Sequence, residues 1–139
     1  MKRSMQLEVV LVAVVAAAVA TTFAPWGTSG TVGRSSYELV DAARALDLLD
    51  DGLVRFAPAW FTLPFLAAGV VIAVGWGKPR LAAGLAVCVG SVMVLGWMSV
   101  KSSPVGVDTG AVAGAVLGGA TVAVAGMLLI REGSTRRDQ

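Results

Sequence analysis

Four apolar stretches, Leu7 to Phe23, Ala57 to Trp76, Leu81 to Val100 and Thr109 to Ile130, fill more than half of this 139-residue chain. About 20 helical residues at a rise of about 1.5 Å cross a hydrocarbon layer of about 30 Å, so each run is long enough to span a bilayer. A soluble core of this size needs no such set. The pattern therefore predicts an all-α, polytopic membrane protein: an antiparallel bundle of four transmembrane helices, at about 7–23, 57–76, 81–100 and 109–130, in one domain covering 1–139. Composition agrees, with 56% hydrophobic and 14% charged residues where soluble domains carry about a quarter charged.

The first run also fits a secretory signal, since Lys2 and Arg3 precede it and it ends near Ala18-Val19-Ala20. Glu8 interrupts its start and Pro25 would block a cut after Ala24, so it is expected to be retained as a helix.

Lys and Arg gather on the cytoplasmic side of short loops. Lys2, Arg3, Lys78, Arg80, Arg131, Arg136 and Arg137 fall on one side of the predicted bundle, and Arg34, Arg44, Arg55 and Lys101 on the other. Seven against four places the protein in the cell membrane with both termini cytoplasmic. The basic residues are spread over the ends of the runs and form no stripe, which argues against nucleic acid as a partner despite a pI near 9.1. The segment Gly77-Lys78-Pro79-Arg80 is short enough to require a helical hairpin. Trp26, Trp60, Trp76 and Trp97 lie at or near the ends of runs, where an indole buries its ring and keeps its N–H wet, and they are expected to be interfacial anchors.

The outer connection, about 24–56, is longer than a link requires. Its first part, Pro25 to Gly33, is rich in glycine and small polar residues and is expected to be irregular. Ser35-Ser36-Tyr37-Glu38 then reads as a capping box, and Leu39, Val40, Ala43, Leu46 and Leu49 recur at helical spacing as far as Gly52. The stripe could cover its own bundle or a partner, so Leu39, Ala43 and Leu46 are candidate contact residues. Asp47, Asp50 and Asp51 lack the alternation of a calcium loop and sit at the unfavourable end of the helix dipole; no metal site is expected.

Little chemistry is available inside the runs. No Asp, Glu, Lys or Arg lies in the middle of any run and the chain has no histidine, which argues against a proton-coupled carrier and removes the commonest catalytic base. Glu8 fits the first turn of its helix, unlike the mid-helix glutamate of small multidrug exporters, and those proteins lack an outer loop of this size. Cys88 has no basic neighbour to form a thiolate, and with Met93 and Met98 it is expected to fill gaps between helices. Pro64 is expected to kink the second helix or end a loose first turn. Gly110, Gly114 and Gly118 make two overlapping GxxxG steps, and Ala82, Ala86 and Gly90 a weaker version; such faces let helices approach closely within a bundle or between chains.

Ala24-Pro25-Trp26-Gly27-Thr28-Ser29-Gly30 with Arg34-Ser35-Ser36-Tyr37-Glu38-Leu39-Val40 resembles the first outer loop of small, uncharacterised actinobacterial four-helix membrane proteins. The resemblance covers that loop alone and implies a compartment and a type of organism, with no activity attached. Close-packing faces combined with missing chemistry lead to the expectation of a non-enzymatic accessory or scaffold subunit of a cell-envelope complex, without cofactor. Its partners would be the lipid bilayer and other membrane proteins or further copies of itself. The alternative is a small homo-oligomeric channel or carrier.

Overall fold

The first helix ends where two threonines turn their hydroxyls back on it. In the computed structural model of the chain, which describes residues 2–29, 31–45, 58–101 and 106–135, α1 covers Lys2–Thr21. Thr21 Oγ1 donates to the Ala18 carbonyl and Thr22 Oγ1 to that of Val19, both at 2.6 Å. Successive tight turns then follow, from Thr22 N to Val19 O, Phe23 N to Ala20 O and Ala24 N to Thr21 O.

The segment after Ala24 was expected to be irregular and is a hairpin. β1 (Pro25–Ser29) pairs antiparallel with β2 (Val32–Ser35) in the register Gly27 to Arg34, Thr28 to Gly33 and Ser29 to Val32. β3 (Gly106–Val107) pairs with the other edge of β1, giving the strand order β2-β1-β3. The register shifts between Pro25 and Gly27, so Trp26 sits at a bulge, the device by which a strand re-aims a side chain. No alternation of apolar and polar residues announced these strands. The ladder forms through pairing with a segment about eighty positions away and through the burial of Trp26.

α2 (Ser36–Ala45) begins with the predicted capping box. Ser35 N donates to Glu38 Oε2 at 2.8 Å, Ser35 Oγ donates to the same oxygen at 2.9 Å, and Glu38 N returns to Ser35 Oγ at 3.4 Å. Leu46, Leu49, Gly52 and the three aspartates Asp47, Asp50 and Asp51 lie outside the described residues.

The second apolar run forms two pieces. Residues 58–61 are helical, Thr62 breaks the ladder, and α3 continues over Leu63–Gly75 with Pro64 in its first turn. Proline has no N–H to offer the Trp60 carbonyl, so the regular ladder cannot run through this point. α3 ends in a Schellman motif: Lys78 N donates to Ala73 O and Gly77 N to Val74 O, with Gly77 at φ +64°. Only the lack of a Cβ makes that conformation cheap. α4 (Pro79–Lys101) starts at once, and α5 (Thr109–Thr135) begins at Asp108, whose Oδ1 accepts Thr109 N at 2.7 Å.

The four long helices close into a ring in the order α1, α3, α4, α5, with α4 against α5 the most extensive contact and α1 also touching α4 across the middle. Neighbours run antiparallel. The sheet and α2 sit at the end that holds the C-termini of α1 and α4 and the N-termini of α3 and α5. Of the described residues, 83% are helical. Among the described residues two helices, Pro79–Lys101 and Thr109–Arg131, are long and apolar enough to cross a membrane. The other two expected spans appear as shorter apolar helices, Met5–Thr21 and Leu63–Gly75; Pro64 divides the run that holds the second.

Candidate functional site: a buried aromatic cap

Three long-range side-chain hydrogen bonds meet at Thr22 and Ser36, between the end of α1 and the start of α2. The Thr22 carbonyl, left free by the end of α1, accepts both the backbone N–H of Ser36 at 3.2 Å and its hydroxyl at 2.7 Å. Ser36 Oγ in turn accepts the indole N–H of Trp60 at 2.9 Å. One buried serine therefore ties the end of α1, the start of α2 and the helical turn before α3. Thr22 Oγ1 also lies 3.3 Å from the Tyr37 hydroxyl. Thr22 and Ser36 are 0% and 3% exposed, so these bonds form where unpaired groups are costly.

Trp26 fills the space beside this knot. It is 1% exposed, its N–H donates to the Thr21 carbonyl at 2.6 Å, and its ring meets that of Trp60 edge to face at 5.0 Å and 79°. Tyr37 continues the row, 5.3 Å from Phe23 and 5.6 Å from Phe61.

The glycine face of α5 is turned toward this cap and toward α4. A Cβ on Gly110 would strike the Pro25 carbonyl, one on Gly114 would lie 2.6 Å from Trp26 Cζ2, and one on Gly118 2.8 Å from Met93 Cβ. All three glycines of the predicted stripe are occupied within the chain. Of the two uses the spacing allowed, a neighbour in the same bundle is the one seen. Gly90 answers from α4, with a Cβ 2.5 Å from the Gly118 carbonyl, and Gly96 leaves room for the Trp60 ring.

Other expected contact residues divide. Leu39 is half-buried and, with Tyr37 and Val40, packs on the core of its own chain. Ala43 lies further along α2 and Leu46 outside the described residues. Trp26 and Trp60 differ from the wet-ended anchors expected of them, because both rings are buried and their N–H groups meet protein acceptors, the Thr21 carbonyl at the end of α1 for Trp26 and Ser36 Oγ at the start of α2 for Trp60. Trp76 is 70% exposed at the α3–α4 turn, with Lys78 Nζ 5.6 Å from its ring centroid. Trp97 holds Lys101 Nζ 5.1 Å from its ring centroid, and its own N–H is buried with no partner among the described residues. Met93 fills the core as expected, whereas Cys88 and Met98 face outward; α4 turns a second face away from the bundle, and both fall on it.

Sequence reasoning missed Thr22, Ser36 and Gly96. Ser36 stands beside the capping Ser35 and carries no local mark of its different role, and the Thr22 carbonyl becomes an acceptor only because a helix stops there.

The hydroxyls of the cap are engaged with carbonyls and with one another. The arrangement is built to hold segments together. Among the described residues no group of three or more His, Cys, Asp or Glu is placed to hold a metal ion. Ser36→Ala is expected to lower stability by about 1–3 kcal/mol, since it strands the buried Trp60 N–H and takes one donor from Thr22 O; equilibrium unfolding followed by tryptophan emission measures it.

Glu38 titrates below the ordinary carboxylate range. The Ser35 backbone N–H, then its hydroxyl, and more weakly the charge of Arg34 hold its carboxyl below the ordinary 4.5. A lowered folded-state value means that the stabilisation is present above the unfolded value and is lost as pH falls through the folded one. Protection of the Ser35 amide against exchange should therefore persist at neutral pH and disappear below 4.5; in Glu38→Gln that pH dependence should be absent.

Comparison with protein-family models, with curated proteins and with solved structures finds no match to this chain.

Proposed function

We propose that the chain is a four-span membrane protein with both termini cytoplasmic, acting without catalysis as an accessory or scaffold subunit of a cell-envelope complex. Side chains such as Val9, Phe65, Ile72, Val116, Met127 and Ile130 point away from the bundle, each at least half exposed. A surface of that kind suits lipid and would drive aggregation in water. α1 with its 20 residues rises about 30 Å, and residues 58–75, interrupted at Thr62, about 27 Å, so both shorter apolar helices suffice with their flanking turns. The basic ends at the α1 start, the α3–α4 turn and the α5 end support the orientation.

The observation that carries the scaffold reading is the serine-centred knot. It fixes the sheet and α2 rigidly to the helices, with Glu38, Asp41 and Arg44 exposed, and spends the polar side chains of the site on that attachment. Since the glycine face is used internally, the outward face of this cap is the partner surface. Gentle-detergent purification from native membranes, read by mass spectrometry, is expected to recover a stoichiometric partner that Asp41→Lys with Arg44→Glu loses. Recovery of the chain alone as a symmetric oligomer that passes ions in liposomes would overturn this reading in favour of a channel or carrier.

A further inference from the structure

The two ends of the bundle differ in charge. Among the residues whose side chains the structure describes, the α1 start, the α3–α4 turn and the end of α5 hold Lys78, Arg80 and Arg131 against Glu8, three basic to one acidic. At the capped end the described charges balance, with Arg34, Arg44 and Lys101 against Glu38, Asp41 and Asp108. The uncapped end also carries Trp76, 70% exposed, beside Lys78, whose ammonium stands 5.6 Å from its ring centroid. The Schellman turn fixes the backbone of both residues, because Trp76 N, Gly77 N and Lys78 N are all bonded to α3 carbonyls. An indole that seats in the acyl-headgroup boundary and a cation held next to it match one chemical class, a phospholipid with a net negative headgroup.

We infer that the α3–α4 turn is a docking surface for anionic phospholipid headgroups, with Lys78 meeting the phosphate and Trp76 packing on the lipid beneath it. The inference rests on the four-span reading. It goes further in assigning a lipid class to one end and one turn. Lys78 and Trp76 make the contact.

The test uses the full chain in vesicles of phosphatidylcholine containing brominated phosphatidylglycerol or brominated phosphatidylcholine at equal mole fraction. Subtracting the quenching seen in Trp76→Phe isolates Trp76 from the other three tryptophans. Brominated phosphatidylglycerol is expected to associate about fivefold more strongly than brominated phosphatidylcholine, the effect of one cation near the surface. Lys78→Gln should bring the ratio close to one, Lys78→Arg should keep it, and Lys101→Gln at the capped end should leave it unchanged. Equal quenching by both lipids, or a preference that survives Lys78→Gln, would overturn the inference while the chain remains integral. Absence of quenching by either lipid, with release of the chain by alkaline carbonate, would overturn the four-span reading as well.

Discussion

Trp26→Ala should lower the stability of the folded chain by about 3–5 kcal/mol, the usual cost of emptying a buried indole site. The side chain is 1% exposed, and its removal leaves a void bounded by Trp60, Met93 and the backbone at Gly114. Helix backbone on one side and an edge-on ring on the other cannot collapse into that space. The edge-to-face pair with Trp60 is lost too, adding about 0.5–1.5 kcal/mol. The Thr21 carbonyl keeps Ala24 N as a partner, so it is not stranded, and Trp26→Phe should cost only a fraction of the alanine value. Reversible unfolding in mixed micelles, with near-ultraviolet dichroism to follow the ring pair, measures both. Equal costs for Phe and Ala would show that the ring contributes nothing beyond its N–H.

Gly90→Leu is also expected to be strongly destabilising, and its cause is different. A Cβ at this position would lie 2.5 Å from the Gly118 carbonyl and 2.7 Å from Val122 Cγ2, while one on Gly118 would lie 3.0 Å from the Gly90 carbonyl. Each glycine thus accommodates the other's backbone. Rotamer changes cannot relieve such an overlap, so α4 and α5 must separate along their whole contact, and overpacking of this kind costs about 1–3 kcal/mol or more. Gly119→Ala supplies the contrast. Nothing lies within 4 Å of a Cβ there, and helix propensity alone predicts a gain of about 0.5–1 kcal/mol. If both variants move the unfolding midpoint the same way, the close approach of α4 and α5 is not what these glycines serve.

Several features were legible because they are local. The capping box at Ser35 and Glu38 needs only four consecutive residues, and the hairpin at Gly77 only a glycine followed by proline between two apolar runs. The apolar runs themselves marked the helices, although Thr21 and Thr22 end the first before Phe23 and Pro64 divides the second. Small-residue spacing on α5 told that something approaches closely. It could not tell that three different things do: a strand carbonyl at Gly110, an indole at Gly114 and a methionine at Gly118.

The tryptophans show the same boundary from the other side. Position at the end of an apolar run is common to all four, and a wet N–H is a sound expectation for an indole there. Whether the N–H stays wet depends on what folds over it. A strand bulge and Ser36 cover Trp26 and Trp60, whereas Trp76 at a two-residue turn has nothing above it.

By itself, the sequence determined an all-α chain of apolar helices, the antiparallel hairpin of α3 and α4, the start of α2 and the scarcity of ionisable groups along the helices. These follow from hydropathy, helix periodicity and capping, which act within a few residues. Only the tertiary structure decided that Pro25 to Ser35 is a hairpin completed by Gly106 and Val107, that the α5 glycines face inward, and that Thr22, Ser36 and Trp60 form one knot. Each of those depends on a carbonyl or a ring delivered from a distant segment, and a backbone acceptor left over at a helix end carries no letter in the sequence.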